Sequence, residues 1–106
     1  LPVIVEDDVA KLPDRTAFAG SVATTDRLVR NMISLADVPL IDAVRMMTST
    51  PARIIGVQDQ KGRLAKGMDA DVVIFDENIN IDTTIVAGKI MYSAAEKKTD
   101  RLTKAM

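Results

Sequence analysis

The hydrophobic pattern of this chain changes period once, near Gly62, and that change limits what it can fold into. Before it, Leu28, Val29, Met32, Ile33 and Ala36 recur at helical spacing, and Leu40, Ala43, Val44 and Met47 do so again. Apolar residues at i, i+3 and i+4 make one stripe of a helix. After it, Val72-Val73-Ile74-Phe75 is an unbroken apolar run, and Ile79, Ile81, Thr83 and Ile85 alternate with polar neighbours. The first pattern predicts a strand buried on both faces or nearly so, and the second a half-buried one. The sequence therefore predicts an α/β chain whose helices precede its main sheet.

The boundaries follow from local chemistry. Val3-Ile4-Val5, Glu6-Asp7-Asp8 and Val9 to Leu12 predict a small hairpin around a polar turn. Pro13-Asp14-Arg15 predicts a further turn, and the small residues of Thr16–Ser21 around Phe18 predict a loop. A helix over 24–36 begins near Ser21, Thr24 or Thr25 as cap, with Asp26 favourable in the first turn. Asp26 and Arg30 form an i, i+4 pair on the other side from the stripe. A second helix starts at Pro39 and is interrupted by Thr48-Ser49-Thr50. A third opens at Pro51, with Thr50 or Ser49 as cap, and stops at Gly56. Leu64 falls in a short extended piece, Lys66–Asp69 in a turn, and Gly88 in a hairpin turn leading to a strand over Lys89–Tyr92. Residues 93–106 are charged and read as a surface helix or tail.

Composition removes several function classes. The 106 residues carry 14 basic and 15 acidic side chains, for a net charge of -1. Nucleic-acid binders usually show a basic stripe, and an aromatic content of 3% offers little for base stacking. No nucleic-acid partner is expected. No apolar run approaches the ~18 residues of a membrane helix, so no membrane partner is expected either. The chain has neither histidine nor cysteine, which removes disulfides and imidazole or thiolate metal ligands. This fits a cytoplasmic setting. The chain begins at Leu1 and not at Met, which is read as processing, cleavage or incomplete coverage of a longer protein.

Several motifs have plain structural accounts. Gly62 and Gly67 have the spacing of P-loop glycines, but Met68-Asp69 stand where Lys and Ser/Thr must reach phosphate and Mg²⁺. The acidic pairs Asp7/Asp8, Asp69/Asp71 and Asp76/Glu77 sit at predicted turns or strand ends, where carboxylates act as solvated charges or caps. Met32 and Met47 fall on apolar helix faces and read as core; Met46 lies beside them. Arg27, Arg30, Arg45 and Arg53 fit solvated helix faces as well as they fit phosphate contacts. Thr16–Ser21 has a functional character. Small residues let backbone amides approach a ligand, and a following helix N-terminus favours an anion or acyl oxygen. A plain strand-to-helix connection accounts for the same residues equally well.

Gly62-x-Leu64-x-x-Gly67-x-x-Ala70-Asp71-Val72-Val73-Ile74-x-Asp76 resembles the closing signature of the amidohydrolase superfamily, which dihydroorotases, adenine deaminases and imidazolonepropionases share. Ala43-Val44-Arg45-Met46 with Thr50-Pro51-Ala52-Arg53-Ile54-Ile55-Gly56 is also broadly shared there. Ala19-Gly20-Ser21, followed by Thr25-Asp26-Arg27 and Val29-Arg30-Asn31-Met32, is similar to the N-acetylglucosamine-6-phosphate deacetylase family. It departs at Arg15, where that family often has Gly, and at Ala17-Phe18, which is one residue longer.

The resemblance implies the C-terminal fragment of a (β/α)8 metal-dependent hydrolase barrel plus part of its small β-sandwich domain. Residues 1–58 would be the last part of the barrel: hairpin, substrate loop and closing helices. Residues 59–92 would give sandwich strands, and 93–106 a polar tail. The implied activity is hydrolysis of N-acetylglucosamine 6-phosphate to glucosamine 6-phosphate and acetate, with an amino-sugar phosphate as substrate and a homodimeric enzyme. The implied cofactor is a divalent metal, zinc or iron, with its Glu and His ligands and the acid–base Asp all lying before Leu1. The fragment alone would bind no metal, hold no catalytic residue and be inactive. Phe18, Ala19 and Gly20 would border the substrate pocket. The alternatives are another amidohydrolase, such as a cyclic amidohydrolase or nucleobase deaminase, and a non-catalytic interaction module.

Overall fold

The computed structural model describes residues 2–95. β1 (Ile4–Glu6), β2 (Val9–Lys11) and β3 (Phe18–Ser21) form one antiparallel sheet in that order, here called sheet A. Three helices follow: α1 (Thr25–Ala36), α2 (Leu40–Arg45) and α3 (Ser49–Ile54). β4 (Val72–Phe75), β5 (Ile81–Val86) and β6 (Lys89–Ser93) form a second antiparallel meander, sheet B. The α/β class and the helices-before-main-sheet order stand as expected. Residues 93–106 begin with Ser93 as the last residue of β6, and the predicted helix or tail from 96 onward lies outside the described residues.

Two of the four strand connections turn on two residues with positive φ. Asp7 and Asp8 (53° and 60°) join β1 to β2, and Ala87 and Gly88 (51° and 78°) join β5 to β6. That backbone matches the right-handed twist of the flanking strands. α1 stops at Asp37, whose φ of 58° reverses the chain, and the Val38 amide donates to the Met32 carbonyl at 3.0 Å. α2 and α3 are nearly continuous. Thr48 breaks them with its own backbone (φ -127°, ψ -88°) while its hydroxyl donates to the Val44 carbonyl at 2.8 Å.

Four expectations are corrected. Thr16–Ser21 is not simply a loop, because its second half is β3, paired to β2. The cap of α3 is Thr48, not Ser49 or Thr50, which puts Pro51 inside the first turn, where its missing N–H still has no intrahelical partner. Leu64 is exposed coil and not part of a strand. The α1 stripe is narrower than predicted: Val29 is buried and Met32 and Ile33 pack beside it, but Leu28 and Ala36 are exposed.

The core sits where α1 and α2 meet the β4–β5 turn. Val29, Ala43 and Ile79 are its buried centre, flanked by Met32, Ile33, Val38, Met47 and Phe75. Ile79 enters from a turn, at φ 60°, and not from the strand its alternation predicted. Beta-branched residues rarely adopt that conformation, so here burial outweighs local preference. Gly62 packs on α3 so closely that a Cβ there would lie 2.8 Å from that of Ala52. β4 differs from expectation, since Val73 and Ile74 are each 49% exposed. Spaces lie between the helices and sheet B, among them one of about 470 Å³ lined by Asp26, Arg30, Ile81 and Tyr92. Another of about 670 Å³ lies between Val44, Pro51 and Ile55 and the strand residues Val72 and Ile85; a further one of about 430 Å³ is lined by Val29, Met47, Val73 and Phe75.

Candidate functional site: the edge strand before helix 1

β3 takes its place because Pro13-Asp14-Arg15 turns the chain back on β2. The Asp14 carboxylate accepts from the Thr16 amide (3.0 Å) and hydroxyl (2.7 Å). The hydroxyl bond and then the amide bond hold the Asp14 carboxyl below its ordinary range. Arg15 follows with φ 61°, a backbone that favours glycine, at the position where the resembled family often has Gly. Its guanidinium donates to Glu6 at 2.8 Å, and Lys11 reaches Glu6 at 3.3 Å and Asp7 at 3.0 Å. Arg15 first and Lys11 second keep the Glu6 carboxyl below its usual value. This charge cluster fastens the tip of sheet A.

The register then places the three predicted residues. Phe18 faces Lys11 and Gly20 faces Ala10, with an irregularity between Ala10 and Lys11 that leaves Ala19 as the extra residue. A bulge of this kind bends a strand and re-aims its side chains. Phe18 is 75% exposed. A Cβ built on Gly20 would meet nothing within 4 Å, so neighbouring packing does not demand glycine there. β3 hands over to α1 within three residues, and the Ser21 hydroxyl oxygen accepts from the Ala23 amide at 3.0 Å. The structure thus brings Phe18, Ala19 and Gly20 onto one edge strand, and they line none of these cavities beside sheet B.

The other candidates resolve as structural. Lys61 bridges Asp69 (3.1 Å) and Asp71 (2.6 Å), and Asp71 also accepts from the Ala87 amide at 2.9 Å. Lys61 first and the Ala87 amide second hold Asp71 below its ordinary value, and Asp71 raises Lys61 in turn. Asp76 accepts from the Asn78 and Asn80 amides, both at 2.9 Å, and from the Asn80 side chain at 3.1 Å. It caps the β4–β5 turn. No group of three or more His, Cys, Asp or Glu that could hold a metal occurs among the described residues. The donors present do not fit a divalent metal. No helix among the described residues is long and apolar enough to cross a membrane.

One residue has a larger part than sequence reasoning gave it. Arg30 pairs with Asp26 at 2.9 Å, as its spacing suggested, but also donates to the Ile79 carbonyl at 2.8 Å. It ties α1 to the β4–β5 turn while its side chain stays 37% exposed. The i, i+4 spacing was the only signal.

Residues 4–91 match the amidohydrolase family. The chain belongs to that family. An N-acetylglucosamine-6-phosphate deacetylase of Caenorhabditis elegans is 34% identical over 87 residues, which is 82% of this chain and 21% of that protein. The N-acetylglucosamine-6-phosphate deacetylase of Pasteurella multocida has a solved structure similar to this amidohydrolase chain. It superposes with a TM-score of 0.77 at 27% identity, covering 86% of this chain and 24% of that one. A mutant of the Mycobacterium smegmatis enzyme, solved in complex with N-acetyl-D-glucosamine-6-phosphate, superposes with a TM-score of 0.68 at 28% identity, covering 83% and 24%. The chain therefore spans about a fifth to a quarter of the length of these relatives.

Proposed function

We propose that this chain is part of a carbohydrate N-deacetylase that hydrolyses N-acetylglucosamine 6-phosphate, with water, to glucosamine 6-phosphate and acetate. The observation that carries this is the shared likeness, in sequence and in fold, to N-acetylglucosamine-6-phosphate deacetylases over more than four-fifths of the chain. In this reading residues 1–58 complete a (β/α)8 barrel and residues 59–92 join a β-sandwich. A divalent metal would be held by residues elsewhere in the enzyme, where it would supply Lewis acidity and an activated water. The acid–base carboxylate likewise lies elsewhere in the enzyme, which works in the cytoplasm as a homodimer.

Phe18, Ala19 and Gly20 are assigned to the substrate pocket. Three features support this: the bulge that re-aims β3, the exposure of the Phe18 ring, and the open space above Gly20. An exposed aromatic with no packing role suits the apolar face of a sugar or an acetyl methyl group. Acetate release from N-acetylglucosamine 6-phosphate by the complete protein, set against ring opening of dihydroorotate and ammonia release from adenine, tests the activity. Turnover of the amino-sugar phosphate alone is the expected result. Turnover of a cyclic amide or nucleobase instead would move the assignment elsewhere in the family, and no turnover of any would favour an interaction module.

A further inference from the structure

A polar tie runs from the β4–β5 turn to the first turn of α1, the helix that follows β3 in the chain. It begins at the Ile79 carbonyl, which accepts from Arg30 Nη1 at 2.8 Å. Arg30 Nη2 meets Asp26 Oδ2 at 2.9 Å, in the first turn of α1. Thr24 stands just before that turn as the N-cap residue and makes no side-chain cap bond. From Thr24 the chain passes through Ala23, whose amide donates to Ser21 at the end of β3.

The far end of this tie is unusually well fixed. Ile79 is buried in the core at a positive φ, and the Asp76 carboxylate binds the backbone on both sides of it. The strand beyond its near end is the opposite. All four residues of β3 are exposed, and among the described residues its ladder runs to β2 alone. Where β3 stands relative to the helices and sheet B depends on the first turn of α1, and Arg30 ties that turn down.

We infer that Arg30 is a positioning residue: through Asp26 and the first turn of α1 it fixes where the Phe18–Gly20 strand stands relative to the core. This rests on the proposed role of Phe18–Gly20 at the substrate. Arginine is suited to it because its planar fork reaches a carboxylate and a carbonyl in one fixed geometry. Lysine makes only part of that pattern.

The test uses the complete protein, with Arg30→Gln, Arg30→Lys and Asp26→Asn. Asp26→Asn weakens the α1 end of the tie and leaves the bond from Arg30 to the Ile79 carbonyl, so it serves if Arg30→Gln fails to fold. Two readouts are taken well below the melting temperature. The first is amide hydrogen exchange at residues 18–21, which should quicken in Arg30→Gln and Asp26→Asn and be partly restored in Arg30→Lys. The second is steady-state kinetics with N-acetylglucosamine 6-phosphate, where KM should rise about 10- to 100-fold, as small misplacements of binding groups do, at unchanged metal content. Exchange at 18–21 and KM both at wild-type values, with only the melting temperature lowered, would reduce Arg30 to a stabilising residue and overturn the inference. Faster exchange with unchanged KM would overturn its bearing on substrate. A wild-type protein inactive on this substrate would instead sink the proposed function, and the exchange readout alone would then decide whether the tie positions β3.

Discussion

Phe18 spends an aromatic side chain on solvent, at 75% exposure, and contributes little to the fold of these residues. Replacing it with alanine in the complete protein should leave the melting temperature near wild type. It should lower kcat/KM for N-acetylglucosamine 6-phosphate by one to two orders of magnitude, about 1.5–3 kcal/mol in transition-state binding. Wild-type kinetics would remove it from the pocket. Asp76 has the opposite balance, a structural group with a titration signature. The Asn80 amide first, then the Asn80 side chain and the Asn78 amide, hold its carboxyl below the ordinary value, with Arg30 adding a smaller effect. A carboxylate lowered on folding contributes stability that is complete above its unfolded pKa of about 3.9 and is lost as pH falls through the folded value. Asp76→Asn should therefore flatten the acid limb of a stability-against-pH curve measured by urea titration between about pH 5 and 2, while wild type falls steeply there. At this scale the sequence was partly legible. Asp76 could be read as a cap because a carboxylate before Asn at a strand end has backbone amides within reach. Nothing local could show that Arg30 meets the Ile79 carbonyl, because that contact joins residues 49 apart in sequence.

Among the elements, α1 was the clearest in the sequence and β3 the least. α1 carries both its cap and its apolar stripe within a dozen residues, so local rules found it. β3 consists of Phe-Ala-Gly-Ser, which has low intrinsic strand preference. It becomes a strand because the preceding turn returns it to β2, a tertiary decision. β4 was read correctly as a strand but over-read as buried, because an apolar run states what a strand needs and not what covers it. The link between α3 and sheet B supplies a prediction. Gly62 has φ +103°, and an added Cβ would lie 2.8 Å from Ala52 Cβ and 3.1 Å from the Thr48 carbonyl oxygen. Both the backbone and the contact resist a side chain. Gly62→Ala should destabilise the protein by about 1–3 kcal/mol, read as a lower denaturation midpoint, whereas Gly20→Ala, with open space above it, should cost much less. Equal costs at the two positions would contradict this packing.

The whole molecule keeps its apolar surface poorly covered. Its radius of gyration is 17.2 Å, against about 13 Å for a compact chain of this length, and Val73, Ile74, Ile90 and Met91 of sheet B stand exposed. Such surface favours association, and the outer strand β4 adds an edge with no ladder partner among the described residues. Residues 1–106 produced alone should therefore sediment as an oligomer or bind the dye ANS with a broad melt. A dye-free monomer with a sharp cooperative transition would show that these residues form a self-sufficient domain. Zinc titration by calorimetry on the same material should show no stoichiometric micromolar binding, since the chain has no histidine or cysteine and the described acidic pairs serve Lys61 and backbone amides. At this scale the family could be read from the spacing of Gly62, Gly67, Ala70 and Asp71. The proposed pocket could not be assembled, because a pocket needs several facing surfaces and residues 18–20 supply one short strand.

The way the two sheets are wired has a kinetic consequence. Every ladder in both sheets joins strands consecutive in sequence, and the helices are local by nature. Hairpins and short helices form within about ten microseconds, and contacts distant along the chain come later. The seating of Ile79 between α1 and α2, and the closing of Arg30 onto its carbonyl, belong to that slow class. A newly made chain would then carry nearly all its hydrogen-bonded ladders before its layers have met. Damage to the Ile79 junction would leave circular dichroism in the far ultraviolet almost untouched while removing the step that turns separate pieces into one body.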